Sequence, residues 1–379
     1  RKAMKVRELS CYAVDIPTQH DTYVMSHNRV LTAFPTTIVK LTAEDGTVGW
    51  GEACTLGSNY LDGFPASAQA TVKLLSDWVL ECDVFEAGVL VDGMDHRVIG
   101  NLTGKAAIDI AMWDLRGRLL NRPVAQLLGG VKSRNMPGFK AISLGSADDM
   151  VAEVEEAAER GYRAWQLKLG DEPIADAARV RAVAEAIPSD STFMTSDANK
   201  GWTVAQTLRF AAEIDGVDTY LEQPCPTIAE LCRIRSVVAR PLMADESLRT
   251  EADCLELLSA GCADAINLKV VRVGGLTKAA RIRDLAHAAG WMILADEPQG
   301  ADLATAALTH FAATVNPNQL LATAYFMGQD MKISYRPAGD TSGPKLVDGR
   351  VEYVEAAGLG IEIDEKALGE PLFTVRADT

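Results

Sequence analysis

The sequence predicts an α/β fold: a closed eight-stranded β/α barrel, accompanied by an α+β region drawn from the two ends of the chain. Three observations lead there. From about residue 137, short β-like runs alternate with longer Ala-rich helical stretches, and the runs number eight. No G-x-G-x-x-G loop follows a strand, and neither a Walker loop nor a G-x-S-x-G elbow is present, which disfavours the open doubly wound sheet that carries the same alternation. Repeated β-α units of roughly 25 to 30 residues imply parallel strands with right-handed crossovers, and eight of them suffice to close a barrel.

The elements follow in order. Thr37-Ile38-Val39-Lys40-Leu41 and Val48-Gly49-Trp50-Gly51 flank Glu44-Asp45-Gly46, and Asp-Gly is a favoured hairpin turn. Between Thr103 and Leu120 the residues Ala107, Ile108, Ala111, Met112, Leu115 and Leu119 recur at helical spacing. Pro123 and Gly129-Gly130 bound a second, short helix. The eight runs are then Gly138 to Ser143, Ala164 to Leu169, Phe193 to Asp197, Thr219 to Glu222, Leu242 to Asp245, Ala265 to Lys269, Met292 to Asp296 and Leu320 to Thr323. Ser146 to Asp149 resembles a capping box, and Gly161 follows the last turn of the helix it opens. Val347-Asp348-Gly349-Arg350-Val351 reads as a hairpin and Gly358-Leu359-Gly360 as a tight crossing. This C-terminal stretch is expected to pack back on the first region. The expected divisions are 1–130, 131–335 and 336–379.

Composition excludes several functions. The 379 residues hold 37 Lys and Arg against 52 Asp and Glu, a formal charge of −15. That balance argues against a phosphate-binding or anionic-lipid surface, so neither nucleic acid nor membrane is an expected partner. No apolar run approaches the length of about 20 residues that a span needs, and Arg1-Lys2-Ala3 before Met4 does not read as a secretory signal. The seven cysteines are scattered without a C-x-x-C pair, as in reduced cytoplasmic proteins. None of the five histidines stand at His-x-x-x-His spacing, which disfavours a helical zinc site.

The ends of the runs point to chemistry, because a β/α barrel carries its reactive groups at the C-terminal ends of its strands. The second run ends Gln166-Leu167-Lys168. The third ends in Asp197, before Ala198-Asn199. The fourth ends in Glu222, before Gln223-Pro224, and the fifth in Asp245, before Glu246-Ser247. The sixth ends in Lys269 and the seventh in Asp296, before Glu297. Any one such acid reads as the N-cap of a following helix. Three on successive strands, Asp197, Glu222 and Asp245, read as metal ligands, because carboxylates converging without a cation raise one another's pKa. All-oxygen ligation without His or Cys points to Mg²⁺. Lys168 and Lys269 lie on strands that face each other across the barrel. A strand-end lysine ordinarily snorkels or pairs, but two beside a dication suit proton transfer, since such a setting lowers an amine's pKa. The expected reaction removes a proton α to a carboxylate, with the metal holding that carboxylate and stabilising the enediolate.

The chain resembles the enolase superfamily, in its mandelate racemase/muconate lactonising branch, over essentially its whole length. The resemblance rests on Gly49-Trp50-Gly51-Glu52, on the helix Ala106 to Leu115, on Asp197-Ala198-Asn199, Glu222-Gln223-Pro224 and Asp245-Glu246-Ser247, and on Lys269-Val270-Val271-Arg272-Val273-Gly274-Gly275. It implies a modified (β/α)8 barrel of TIM type under an α+β capping domain formed by the N-terminal region and the C-terminal segment. It also implies one Mg²⁺ per subunit on Asp197, Glu222 and Asp245, an acid/base pair of Lys168 and Lys269, and Asn199 and Glu246 supporting the ligands. Members are often dimeric or octameric, so a homo-oligomer is expected. Capping-domain loops close over the site in this family, which nominates Thr18 to Asn28, with His20, Asp21 and Tyr23, and also Tyr60.

One departure narrows the substrate. Many members carry Lys-x-Lys where this chain has Gln166-Leu167-Lys168. Gln-x-Lys resembles the subgroup acting on proline-like carboxylates, which includes betaine 2-epimerases and a cis-3-hydroxy-L-proline dehydratase. A betaine needs an aromatic cage, best built from Trp. Here the eighth strand ends before Ala324-Tyr325-Phe326, and the seventh run leads into Glu297-Pro298-Gln299. Asp296 can accept hydrogen bonds from a secondary ammonium, which a betaine cannot donate. Tyr325 and Phe326 fit the core equally well. The expectation is dehydration of cis-3-hydroxy-L-proline to Δ1-pyrroline-2-carboxylate, with Lys168 taking the α-proton and also protonating the leaving hydroxyl, and Lys269 donating to carbon. The alternatives are a proline-betaine or 4-hydroxyproline-betaine 2-epimerase, an acid-sugar dehydratase, whose His-Asp pair is replaced here by Asp296 and Lys269, and a non-catalytic binder.

Overall fold

In the computed structural model, residues 3–17, 23–25, 29–327 and 334–377 are described. The N-terminal part is a four-stranded antiparallel sheet with helices on it. Its strand order is Phe373–Arg376, Val6–Pro17, Ala33–Ala43, Val48–Cys54. The Asp45-Gly46 turn joins the last two strands: Gly46 takes a left-handed φ of +91° and the Asp45 carboxylate accepts the Thr47 N–H at 2.9 Å.

The helix Leu102–Leu120 is the hub of the molecule. Every residue from Thr103 to Gly117 is buried, so it has no solvent face. It lies so close on the strand Val48–Cys54 that a Cβ on Gly51 would sit 2.2 Å from the Ala107 carbonyl oxygen, and one on Gly49 2.4 Å from the Leu115 nitrogen. The Gly-Trp-Gly spacing is therefore a packing requirement: alternate residues on one strand face must be bare where helix turns cross them. Two acids on the helix bind other segments. Asp114 accepts N–H groups from Trp50 at 2.9 Å and Leu359 at 2.7 Å. Asp109 accepts the Thr277 N–H at 2.9 Å and its hydroxyl at 2.6 Å, which ties the hub to the barrel.

The barrel has eight parallel strands in sequential order: Lys140–Ile142, Ala164–Lys168, Phe193–Asp197, Tyr220–Glu222, Leu242–Ala244, Ala265–Lys269, Met292–Asp296 and Leu320–Thr323. A parallel bridge between Gly138 and Thr323 joins last to first, with Phe139 N–H on the Thr323 carbonyl at 3.2 Å. Each of the seven connections carries a helix, and Ser146, Thr203, Thr227 and Thr250 open four of them with reciprocal capping boxes. All eight expected runs are strands, with ends shifted by two residues or fewer.

The C-terminal stretch divides. Lys345–Val347 and Arg350–Glu352 form the expected hairpin, turning at Asp348 and Gly349 with φ of +47° and +67°. That hairpin pairs with Asn135–Pro137, ahead of the first barrel strand, rather than with the N-terminal sheet. Gly358 crosses the hub at Asp114, and among the described residues of this stretch only Phe373–Arg376 joins the N-terminal sheet. None of the seven cysteines forms a disulfide. Among the described residues no helix is long and apolar enough to cross a membrane.

Candidate active site

Parallel register brings the chemistry to one level. Lys168 lies opposite Asp197, Asp197 opposite Glu222, and Lys269 opposite Asp296, each the last residue of its strand; Asp245 is the first residue beyond the fifth. The turns just past these ends are strained. Asn199, Lys200 and Gln223 all have positive φ, at 45°, 65° and 33°. Such angles are costly for non-glycine residues and persist where a site over-determines them.

Asp197, Glu222 and Asp245 are fully buried, and one oxygen from each lies within 4.8 Å of the others. Lys168 Nζ is 2.6 Å from Asp197 Oδ2. Lys269 Nζ is 2.7 and 2.8 Å from the two oxygens of Asp245 and 3.3 Å from Asp296 Oδ2. Tyr60, from the N-terminal region, donates to Asp245 at 3.3 Å. Gln166 donates to both oxygens of Glu222, at 3.1 and 3.2 Å. Asn199 offers its N–H to Asp197 at 2.9 Å and its amide to Glu246 at 3.0 Å.

Of the expected site residues, then, Lys168, Asp197, Glu222, Asp245, Lys269, Asp296, Gln166, Tyr60, Asn199 and Glu246 converge. Tyr325 is engaged elsewhere, its hydroxyl donating to the Pro344 carbonyl at 3.2 Å. His20 lies outside the described residues. Tyr23, expected in a loop, begins the short strand Tyr23–Met25, which pairs with Arg29–Leu31; its side chain is outside the described part.

Three neighbours escaped the sequence reading. Asn267 donates to Glu222 at 2.7 Å and to Asp296 at 3.2 Å. Its signal was its position two residues before Lys269, hence on the same strand face. Arg272 is buried, with its guanidinium on Asp245 and on the Leu248 carbonyl at 2.8 Å. Gln223 Oε1 accepts the N–H groups of Asp245 at 2.8 Å and Ser247 at 3.2 Å, fixing the backbone that carries Asp245.

Electrostatics separates the three acids. Burial, then the charges of Asp197 and Asp245, hold the Glu222 carboxyl well above its usual range. Burial would also raise Asp245, but Arg272 and Lys269 overrule it and hold it low. Burial together with Asp245 and Asp197 pushes Glu246 up to about 7. Lys269 departs from the expected depressed amine. Burial works in that direction, yet Asp245 and Asp296 outweigh it and hold the ammonium above its ordinary range. A buried trio of hard oxygen donors, one of them strongly opposed to ionising beside the others, fits a small divalent cation such as Mg²⁺.

Residues 149–367 match the family described as "Enolase C-terminal domain-like", and residues 9–129 match "Mandelate racemase / muconate lactonizing enzyme, N-terminal domain". A cis-3-hydroxy-L-proline dehydratase from Roseibium aggregatum is 32% identical over 97% of this chain and 99% of its own. An N-succinyl-L-Arg/Lys racemase from Bacillus cereus is 27% identical over 97% and 98%. A crystal structure of a member of the enolase superfamily from Roseovarius nubinhibens, complexed with magnesium, superposes with a TM-score of 0.91 at 29% identity, covering 99% of this chain and 100% of its own.

Proposed function

We propose that this chain, which belongs to the mandelate racemase/muconate lactonizing enzyme family of the enolase superfamily, is a Mg²⁺-dependent dehydratase converting cis-3-hydroxy-L-proline to Δ1-pyrroline-2-carboxylate. The observation that carries this reading is the pair of lysines on opposite sides of one buried carboxylate trio, Lys168 on Asp197 and Lys269 on Asp245. The full-length similarity to a dehydratase of that substrate supports the choice among family reactions.

Asp197, Glu222 and Asp245 would hold the Mg²⁺, which would supply positive charge for the substrate carboxylate and for the negative charge gathering there as the α-proton leaves. Lys168 takes that proton, and the C–H electron pair moves into the carboxylate. The returning pair expels the C3 oxygen, which departs as water once protonated. In the cis isomer the hydroxyl shares the carboxylate's face of the ring, so the α-hydrogen is on the other face. Base and acid must therefore approach from opposite sides, which replaces the expectation that Lys168 does both. Lys269, on the other side of the trio from Lys168, is the donor. The enamine left behind gains a proton at C3 and loses one from nitrogen to give the cyclic imine. Asp296 accepts from the ring ammonium, which favours a free imino acid over a betaine.

The test is turnover of cis-3-hydroxy-L-proline, its trans isomer and proline betaine, with and without Mg²⁺, following the imine by its aminobenzaldehyde adduct. We expect dehydration of the cis isomer alone, lost by roughly 10³-fold or more in Lys168→Ala and Lys269→Ala. In deuterated water Lys269→Ala should still exchange the α-hydrogen and Lys168→Ala should not; the reverse pattern exchanges the two roles. Inversion of the betaine without any dehydration makes the chain an epimerase and sinks the proposal.

A further inference from the structure

We infer that Gln166 and Asn267 are positioning residues that form a neutral amide clamp on Glu222, setting that carboxylate as a metal ligand. The inference rests on the metal reading above and deepens it. Glu222 lies on the fourth barrel strand, and the clamp closes from the second and the sixth. Gln166 is 2% exposed and Asn267 fully buried. The Gln166 nitrogen bridges both oxygens of Glu222, at 3.1 and 3.2 Å, while Asn267 Nδ2 meets Oε1 at 2.7 Å.

The orientation of Asn267 has a physical cause. Its Nδ2 also reaches Asp296 Oδ2 at 3.2 Å, so one amide nitrogen stands between two acids. Its own oxygen, Oδ1, is buried without a partner. An orphaned buried acceptor costs on the order of 1–3 kcal/mol. Flipping the amide would not recover that energy, because it would aim the oxygen at both carboxylates. The clamp thus accepts one unmet atom in order to present two N–H groups to acids.

The clamp is also uncharged. A carboxylate crowded by two others needs donors to stay in place, and Asp197 and Asp245 already have cationic ones in Lys168, Lys269 and Arg272, whereas Glu222 is met by amides. An amide steadies the oxygens and adds no charge. This is what the Gln-x-Lys pattern does at its first position in this chain: Gln166 is spent on Glu222, and Lys168 is left for Asp197. Partners that orient metal ligands typically change metal affinity by about 10–100-fold when removed.

The test is Mn²⁺ binding to the full chain, read by electron paramagnetic resonance of the free ion, together with thermal melts of the metal-free protein. Gln166→Met and Asn267→Leu keep side-chain volume and delete the donors. Each should weaken Mn²⁺ binding about 10–100-fold, and the metal-free melts report whether each variant is folded. Because either loss frees the same carboxylate, the double variant should lose less than the product of the two. If Asn267→Leu does not fold, Gln166→Met decides by itself. Affinities within twofold of the unaltered chain, or losses that multiply, overturn the clamp. Failure of the unaltered chain to bind Mn²⁺ overturns the metal reading instead.

Discussion

Two groups of buried acids occupy this molecule, and both are fully shielded from solvent. At the junction of cap and barrel stand Glu52, Asp109 and Asp114. Each is met by backbone N–H groups from other segments: Glu52 by Ala301 and Ala304, both at 2.9 Å, Asp109 by Thr277, and Asp114 by Trp50 and Leu359, with the Arg118 guanidinium paired to it as well. At the barrel rim Asp197, Glu222 and Asp245 meet one another and the side chains of Lys168, Gln166, Asn267, Lys269 and Arg272. Burial raises acids in both groups, so neither burial nor a raised pKa separates structure from chemistry. The partner does. An acid met by N–H groups from distant segments fastens the chain, whereas acids turned toward each other could hold a cation.

The largest effect should come from neutralising one rim acid. Glu222→Gln removes a charge that burial and its two neighbours oppose. Turnover should fall at least about 10³-fold, near 4 kcal/mol of barrier, and the thermal stabilisation by added Mg²⁺ should vanish. The metal-free protein should melt higher than the unaltered chain, as expected where a site keeps function at the expense of stability. A melt that drops while turnover persists would place Glu222 with the structural group. Asp114→Ala should behave in the opposite way. It strands two buried N–H groups, each worth about 1–3 kcal/mol, and unpairs Arg118, so a loss of about 2–6 kcal/mol is expected in urea melts with Mn²⁺ affinity unchanged. A metal-binding defect without a stability loss would dissolve the distinction between the two groups.

The same contrast explains what could be read from sequence. The rim was legible because strand ends are periodic: once eight runs are placed, the last residue of each is named, and Lys168, Asp197, Glu222, Lys269 and Asp296 follow without any knowledge of distances. The hub helix was legible from its apolar spacing, and Gly49 and Gly51 from the motif, although the reason for them, helix backbone 2.4 and 2.2 Å from a notional Cβ, needs three dimensions. Asn267, Arg272 and Gln223 were not legible as partners. Their roles depend on which carboxylate a side chain reaches across the barrel, and strand periodicity gives the face but not the neighbour. Tyr325 is a related case: its hydroxyl donates to the Pro344 carbonyl, a partner that a position two residues past a strand end does not reveal. The hairpin at residues 345–352 was legible as a hairpin from Asp-Gly, but its pairing with Asn135–Pro137 is a long-range choice that local sequence does not encode.

The smallest effect concerns pH, and it sets two structural groups on one helix against each other. Glu52 docks on the N-terminal end of Asp302–Ala312, and His310 lies in its last turn. His310 is fully buried, with Nδ1 accepting the Ala125 N–H at 3.2 Å. Burial pushes its pKa from 6.5 down to about 4. The unfolded chain takes this proton near 6.5, so the stability present above that pH drains away as pH falls toward 4. For Glu52, burial pushes the pKa from 4.5 up to about 7, against the pull of its two backbone donors. The unfolded chain gives up that proton near 4.5, so the stability present below that pH drains away as pH rises toward 7. Each contribution amounts to about 1–3 kcal/mol, and between pH 4.5 and 6.5 their slopes have opposite sign. The unaltered chain should therefore show a shallow dependence there, while single variants unmask each group. His310→Asn retains an acceptor for Ala125, and its stability relative to the unaltered chain should climb as pH falls across this window. Glu52→Gln should show relative stability that climbs as pH rises. Urea melts of the metal-free protein at three pH values decide it: curves for both variants that run parallel to the unaltered chain would mean that neither group changes its proton affinity on folding.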